Sequence, residues 1–397
     1  MSGILAVPIH GAEDEILELP KDDLPDDPNE IMQILANELA PLKLWLELAV
    51  SYYQQQRMEQ FQTVMETSTG EDGPFYQDYY QGDKEGRIAL LNCLAAYHTQ
   101  VSVRTKNKSK KEQHLQAANV HYQNSDKIDS NMPLTWCGKA LIHMARISIP
   151  DKWSRGARDK EMQHLRDAGF MFDQALECDK AFIPALLGKA AVLFNRRHYT
   201  NALECYKTVV KLNPACPPEV RLGIAHCYSG LKQYKRAREA FQRVLDLAPD
   251  NTEALAGMAV IEMNTTPSDS LTKEEQEQLR AQSVSSGLKL MERAYNSSLQ
   301  GKRSSVVLNH LANHFIVRGD YQKAHLLAVE AFQNTEVKQI RAEACFHIAR
   351  TFHMRGKMDE VCAPPPSSQS APLPLLPTAL PFLSLASCRF ALPLHPR

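Results

Sequence analysis

His310 and His314 stand four residues apart, the spacing at which one helical face offers two imidazoles to a metal ion. No glutamate follows the first histidine as the general base of a helix-borne zinc hydrolase would, so packing or surface roles are the expectation. The adjacent His226 and Cys227 pair a base with a thiol. Neighbours on a helix point about 100° apart, so the two would not meet, and Cys227 is expected to fill the core. The phosphate loop Gly-x-x-x-x-Gly-Lys-Ser/Thr, a Gly-x-Gly-x-x-Gly turn after a strand and the Gly-x-Ser-x-Gly elbow do not occur. A catalytic reading has no anchor residue, and the sequence predicts no enzyme, no metal, no cofactor and no small-molecule substrate.

Two basic clusters could meet phosphate. Lys106, Lys108, Lys110 and Lys111 read as a nuclear-import address, a phosphate contact or a solvated loop. Lys152, Trp153, Arg155 and Arg158 set an aromatic among cations, but Asp151, Asp159 and Glu161 dilute them, which favours an ordinary surface loop. Over the 397 residues, 45 basic side chains face 46 acidic ones. Residues 1–30 hold nine of the acids against Lys21 alone, which leaves the remainder with an excess of seven positive charges. That excess is thinly spread, so direct reading of nucleic acid is not the expectation. A hydrophobic content of 44% suits a soluble folded chain. Neither a long apolar run nor a secretory leader is visible, which predicts no membrane contact and a cytosolic or nuclear place. Nine cysteines with no Cys-x-x-Cys pair suggest buried reduced thiols.

The elements that must carry these residues show themselves by repetition. Tyr199, Ala202, Tyr206 and Pro214 recur 35 residues later as Tyr234, Ala237, Phe241 and Pro249. Upstream of each set lie small residues, Gly188 with Ala190 and Gly223 with Ala225. This spacing predicts two antiparallel helices per unit, with Gly or Ala where backbones approach and an aromatic where a gap must be filled. Pro214 and Pro249 stand where the second helix must stop. The period, the small-residue sites and the terminal proline resemble tetratricopeptide (TPR) repeats. The same register runs from Trp45, Ala49, Tyr52 and Phe61 through Trp136, Gly138 and Ala140 and on to Leu308, Ala312, Phe315, Gly319 and Tyr321. Ile348, Ala349, Phe352 and Gly356 begin one more unit.

The expected fold is all-α, a right-handed α-solenoid of TPR helix pairs. Residues 1–40 are expected to form an acidic, partly extended arm, 41–361 a superhelix of about seven and a half repeats, and 362–397 a disordered tail. Insertions are expected near 98–114, 147–161 and 264–281; in the last, Thr272 and Glu275 have capping-box spacing before a charged helix of its own. The tail has nine prolines in 36 residues and no acid, and reads as a truncated or misread continuation of a longer chain. In TPR arrays the first helices of successive repeats line a groove, so Asn309 and Asn313, one turn apart, are expected to face into it as a protein-binding clamp. A chaperone-tail clamp also needs basic residues on neighbouring first helices, where this chain has Glu343 and His347. That disfavours a co-chaperone. The third reading, the substrate-recruiting part of an enzyme, would need a catalytic module after residue 361 that the proline tail cannot supply.

Certain phrases are more specific than the repeat. Ile183 to Ala190, Arg221 to Cys227, Val307 to Phe315, Asn334 to Val337 and the leader Val7 to Pro25 resemble the large TPR subunits of the RNA-polymerase-II-associated factor (PAF) complex. The resemblance covers residues 1 to about 361. It implies a non-catalytic nuclear scaffold whose partners are the other PAF-complex subunits and the RNA polymerase II machinery. It also implies a role in transcription elongation and, through those subunits, in histone H2B ubiquitination and H3 methylation. The long insertions and the proline tail depart from that family.

Overall fold

The computed structural model of the chain describes residues 3–10, 15–70, 73–105, 107–147, 155–264, 272–297, 303–335 and 338–356. The expected tail, 362–397, lies outside them. Two short strands, β1 (Ile4–Pro8) and β2 (Ile16–Pro20), precede α1 (Asn29–Asn37). Then come α2 (Leu42–Gln54), α3 (Met58–Thr69), α4 (Lys84–Arg104), α5 (Lys108–Ile128), α6 (Pro133–Ile147), α7 (Arg155–Cys178), α8 (Ile183–Asn195) and α9 (Tyr199–Leu212). The series continues with α10 (Pro218–Gly230), α11 (Tyr234–Leu247), α12 (Thr252–Met263), α13 (Lys273–Ser297), α14 (Ser305–Val317), α15 (Tyr321–Asn334) and α16 (Lys338–Met354). By residue contacts the chain divides into two compact units, one of residues 1–145 with 171–180, the other of 146–170 with residues from 181 onward.

In the first unit the segment expected as an acidic arm is folded. β1 and β2 pair antiparallel with Leu5 opposite Leu19 and Val7 opposite Leu17. The two-residue period of a strand buries Leu5 and Val7 and leaves Ile4 exposed. The buried pair joins Ile31, Leu35, Trp45 and Phe61 in one apolar core. Arg57 fastens the following loop, donating to the carbonyls of Leu24 (2.8 Å) and Pro25 (2.9 Å) and pairing with Asp26. Tyr52 Oη donates to the same Pro25 carbonyl at 3.0 Å. The acidic composition hid this, because the anchor uses backbone oxygens and alternate apolar residues more than the carboxylates. The expected insertion at 98–114 is also no appendage. It is the far end of a long hairpin in which α4 and α5, 21 residues each, lie against one another.

Why the helices come in pairs is clearest at their turns. Gln56, Arg197, Lys232 and Gly319 all have positive φ, between 60° and 82°. At each, the next residue's amide reaches back five positions and its own reaches back three: His198 N to Leu193 O and Arg197 N to Phe194 O at 2.9 Å, Gln233 N to Tyr228 O at 2.9 Å and Lys232 N to Ser229 O at 3.0 Å. This left-handed cap satisfies the last carbonyls of one helix and reverses the chain into the next.

Between pairs, an aromatic ring lies over a glycine. A Cβ on Gly138 would fall 2.1 Å from Tyr122 Cζ, one on Gly223 2.6 Å from Tyr206 Cζ, and one on Gly257 2.5 Å from Phe241 Cζ. In the second unit Phe241, Val244, Leu255, Met291 and Val307 share one core. The capping box expected at Thr272 forms: Glu275 N donates to Thr272 Oγ1 at 3.3 Å and Thr272 N to Glu275 Oε2 at 2.9 Å. It does not open a helix of its own. It begins α13, whose later residues Gly287, Met291 and Ala294 are buried against the array, so the charged run is the solvated start of a structural helix. The expected insertion at 147–161 falls partly outside the described residues, and Arg155 onward is the start of α7.

Candidate functional site

A recess in the second unit lies among α10, the start of α11, α12 and the chain entering α14. It encloses about 1100 Å³. α11 reverses α10 and α12 reverses α11, so α10 and α12 run the same way and their like ends face the same end of the recess. Ala256, Gly257 and Val260 of α12 form much of the floor, with Phe241 and Ile261 beside them and Val306 opposite. Gly257 is small for a physical reason: Phe241 occupies the space above it, so α12 comes close to α11.

Charge divides the recess by end. Beyond the last turn of α10 stand Lys232, Lys235 and Arg236, with Asn264 at the matching end of α12. Among the described residues no acid pairs with Lys232 or Lys235. Arg236 donates to Gln233 Oε1 (3.2 Å) and lies 6.0 Å from the centre of the Tyr228 ring. The opposite end has Glu253, in the first turn of α12; Glu219, in the first turn of α10, is near enough for its charge to act on that carboxyl. Crowding of the Glu253 carboxyl by the protein raises its pKa, and the charge of Glu219 raises it further.

His226 sits in the wall, its ring edge-on to Phe241 at 5.3 Å. Burial lowers its pKa to about 4, so the imidazole is neutral at physiological pH. Its Nε2 is buried without a hydrogen-bond partner. The neighbouring Cys227 points into the core, fully buried, and burial raises its thiol pKa to about 12. A thiol so raised is protonated and a poor nucleophile. The surface is thus suited to holding a chain segment: an apolar floor, hydrogen-bonding groups and charges of opposite sign at its two ends.

Asn309 occupies a different environment from the one expected. It is fully buried on α14, where Nδ2 donates to the Ile340 carbonyl at 2.9 Å and lies 3.4 Å from Glu343 Oε2. α16 covers it, and the amide is used between helices. Asn313, one turn on, is exposed and accepts from Arg350 Nη1 at 2.9 Å. The two amides therefore share α16 as neighbour, and only Asn313 is open to solvent. In the basic cluster, Lys108 and Lys110 are exposed in the first turn of α5, capped by the Asn107 side chain. Lys111 is buried to 7% exposure, because helical phase turns it toward the partner helix, and Lys106 lies outside the described residues. His310 and His314 both have lowered pKa values, chiefly through burial. Sequence reasoning passed over the recess. Its signal was the cation run of Lys232, Lys235 and Arg236 falling at a repeat's internal turn, where the other turns are less basic.

Comparisons with known proteins agree with this architecture. The tetratricopeptide repeat family matches residues 193–261. A CTR9 homolog from Arabidopsis thaliana is 32% identical over 355 residues, 89% of this chain and 29% of that protein. The RNA polymerase-associated protein CTR9 of Caenorhabditis elegans is 28% identical over 356 residues, again 89% of this chain and 28% of that one. Over this stretch the chain is similar to the CTR9 proteins. It spans less than a third of the length of these CTR9 relatives. Among solved structures, a tetratricopeptide repeat protein from Parabacteroides merdae aligns with a TM-score of 0.50 at 12% identity, covering 78% of this chain and 98% of that one. That likeness speaks to the fold alone, an all-α array of TPR helix pairs.

Proposed function

We propose that this chain is a non-catalytic scaffold that holds protein segments of the RNA polymerase II machinery, as part of a PAF-type complex in the nucleus. The observation that carries the reading is the similarity, over 89% of the chain, to the Caenorhabditis elegans protein named RNA polymerase-associated protein CTR9. The helix pairs support it physically. Each pair contacts mainly its neighbours, and repetition presents rows of side chains suited to many modest contacts with an extended partner. Support of H2B ubiquitination and H3 methylation during elongation would act through the other subunits that the scaffold gathers. Exposed Asn313, Lys108 and Lys110 are candidate contacts in this reading.

The test is affinity purification of the tagged chain from nuclear extract. Polymerase and PAF-complex subunits should co-purify. Recovery of chaperones through their C-termini would replace the reading with a co-chaperone, and recovery of glycosylated substrates would replace it with the recruiting part of an enzyme.

A further inference from the structure

The recess among α10, α11, α12 and α14 carries more than generic adhesion. We propose that it binds an acidic peptide segment with one bulky apolar anchor, the acids lying at the Lys232, Lys235 and Arg236 end. This inference rests on the scaffold reading and adds the chemistry of the partner.

Three observations lead to it. The first turn of α11 contains Lys235 and Arg236 and no acid. A helix N-terminus carries partial positive charge, so cations there weaken the helix and acids would strengthen it. Cations kept at that place without acidic partners are arranged for something outside the chain. Lys232 adds a third, its backbone set in the left-handed region at φ 60° by the turn itself. Secondly, Tyr234 stands half-exposed beside these cations, while Val260 and Ala256 line an open floor. An aromatic at a basic rim above an apolar recess is the composition of an interface centre. Thirdly, the His226 ring stands in the wall edge-on to Phe241, which extends the apolar bed on which an anchor side chain can rest.

Charge then selects among occupants. Three cations against Glu253 give the lining a net positive balance, which repels a basic segment. The acidic end at Glu253 opposes a uniformly charged phosphate backbone running the length of the recess. A segment acidic at one end, with a Leu, Phe or Met side chain beyond, meets both ends and fills the floor.

The experiment pans a phage-displayed library of 12-residue peptides against the full chain and measures enriched peptides by fluorescence anisotropy. Enriched sequences should carry an Asp/Glu cluster beside a large apolar residue and lose affinity at higher salt. Lys235→Glu with Arg236→Glu should weaken them at least tenfold while the melting temperature holds or rises, since acids suit the start of α11. Ser229→Trp, which fills the recess without changing charge, should weaken them as well. Enriched peptides without acids, or affinities within twofold of wild type in both variants, would overturn the proposal, as would tighter binding of a fluorescein-labelled oligothymidine at the same site. Co-purification of polymerase subunits with the wild-type chain, assayed in parallel, separates this outcome from the scaffold reading: its loss sinks the scaffold reading, whatever peptides the recess selects.

Discussion

At Gly257 there is no room for a methyl group, since its carbon would lie 2.5 Å from Phe241 Cζ. Gly257→Ala should therefore lower the unfolding free energy by about 1–3 kcal/mol despite alanine's better helix propensity, measured by urea denaturation. Arg197 shows the opposite case. It is exposed and held at φ 63°, where side chains other than glycine are strained. Arg197→Gly should raise stability by up to about 1 kcal/mol, the relief of strain exceeding the added freedom of the unfolded chain. Titration adds a third prediction. Burial holds the imidazole pKa values of His98 and His226 at about 4, with repulsion from His121 and His114 adding to the effect at His98. Between pH 6.5 and 4 the unfolded chain takes up protons that these native imidazoles refuse, so stability falls as the pH drops through that window. For His226 the loss is up to about 3 kcal/mol. His226→Gln should flatten the dependence of the urea midpoint on pH over this range; an unchanged slope would refute the assignment.

At the scale of elements, Arg57 ties the 24–26 loop to α2 and α3 through two carbonyls and Asp26. Arg57→Leu should release it at a cost of about 1–3 kcal/mol, with new protease cleavage confined to residues 20–28 as the readout. The hairpin itself was missed by sequence reasoning because nine acids dominated the segment, whereas two alternating side chains, Leu5 and Val7, decide where it packs. The capping box of α13 was legible in sequence because Thr272 and Glu275 interact locally. Where that helix ends was not, since Gly287, Met291 and Ala294 are assigned by burial against distant residues. Thr272→Ala should speed amide exchange in the first turn of α13 and leave the melting temperature almost unchanged.

Over the whole molecule, repetition confines the effect of a change. Each helix pair gains its stability from adjacent pairs, so Gly257→Ala should raise amide exchange in α10 to α13 and leave that of β1 and β2 as it was. The helix pairs were readable from sequence because the aromatic and the glycine it covers recur in the same places, and left-handed turns at Gln56, Arg197, Lys232 and Gly319 separate paired helices. The expected groove clamp was less readable. Asn309 and Asn313 have the right spacing on α14, but which neighbour lies against that face depends on how α16 returns, and α16 takes Asn309 for itself.

The amino-acid sequence by itself determined the all-α repeat class, the pairing of helices and the similarity to CTR9 proteins, because those follow from local periodicity and from words of sequence. Only the tertiary structure decided that the acidic beginning folds onto the first pair, that Asn309 and Lys111 are buried, and that Lys232, Lys235 and His226 surround one recess. Local pattern specifies which face of a helix is apolar. Which other helix comes to cover that face, and what is left uncovered, is settled by contacts between residues far apart in the chain.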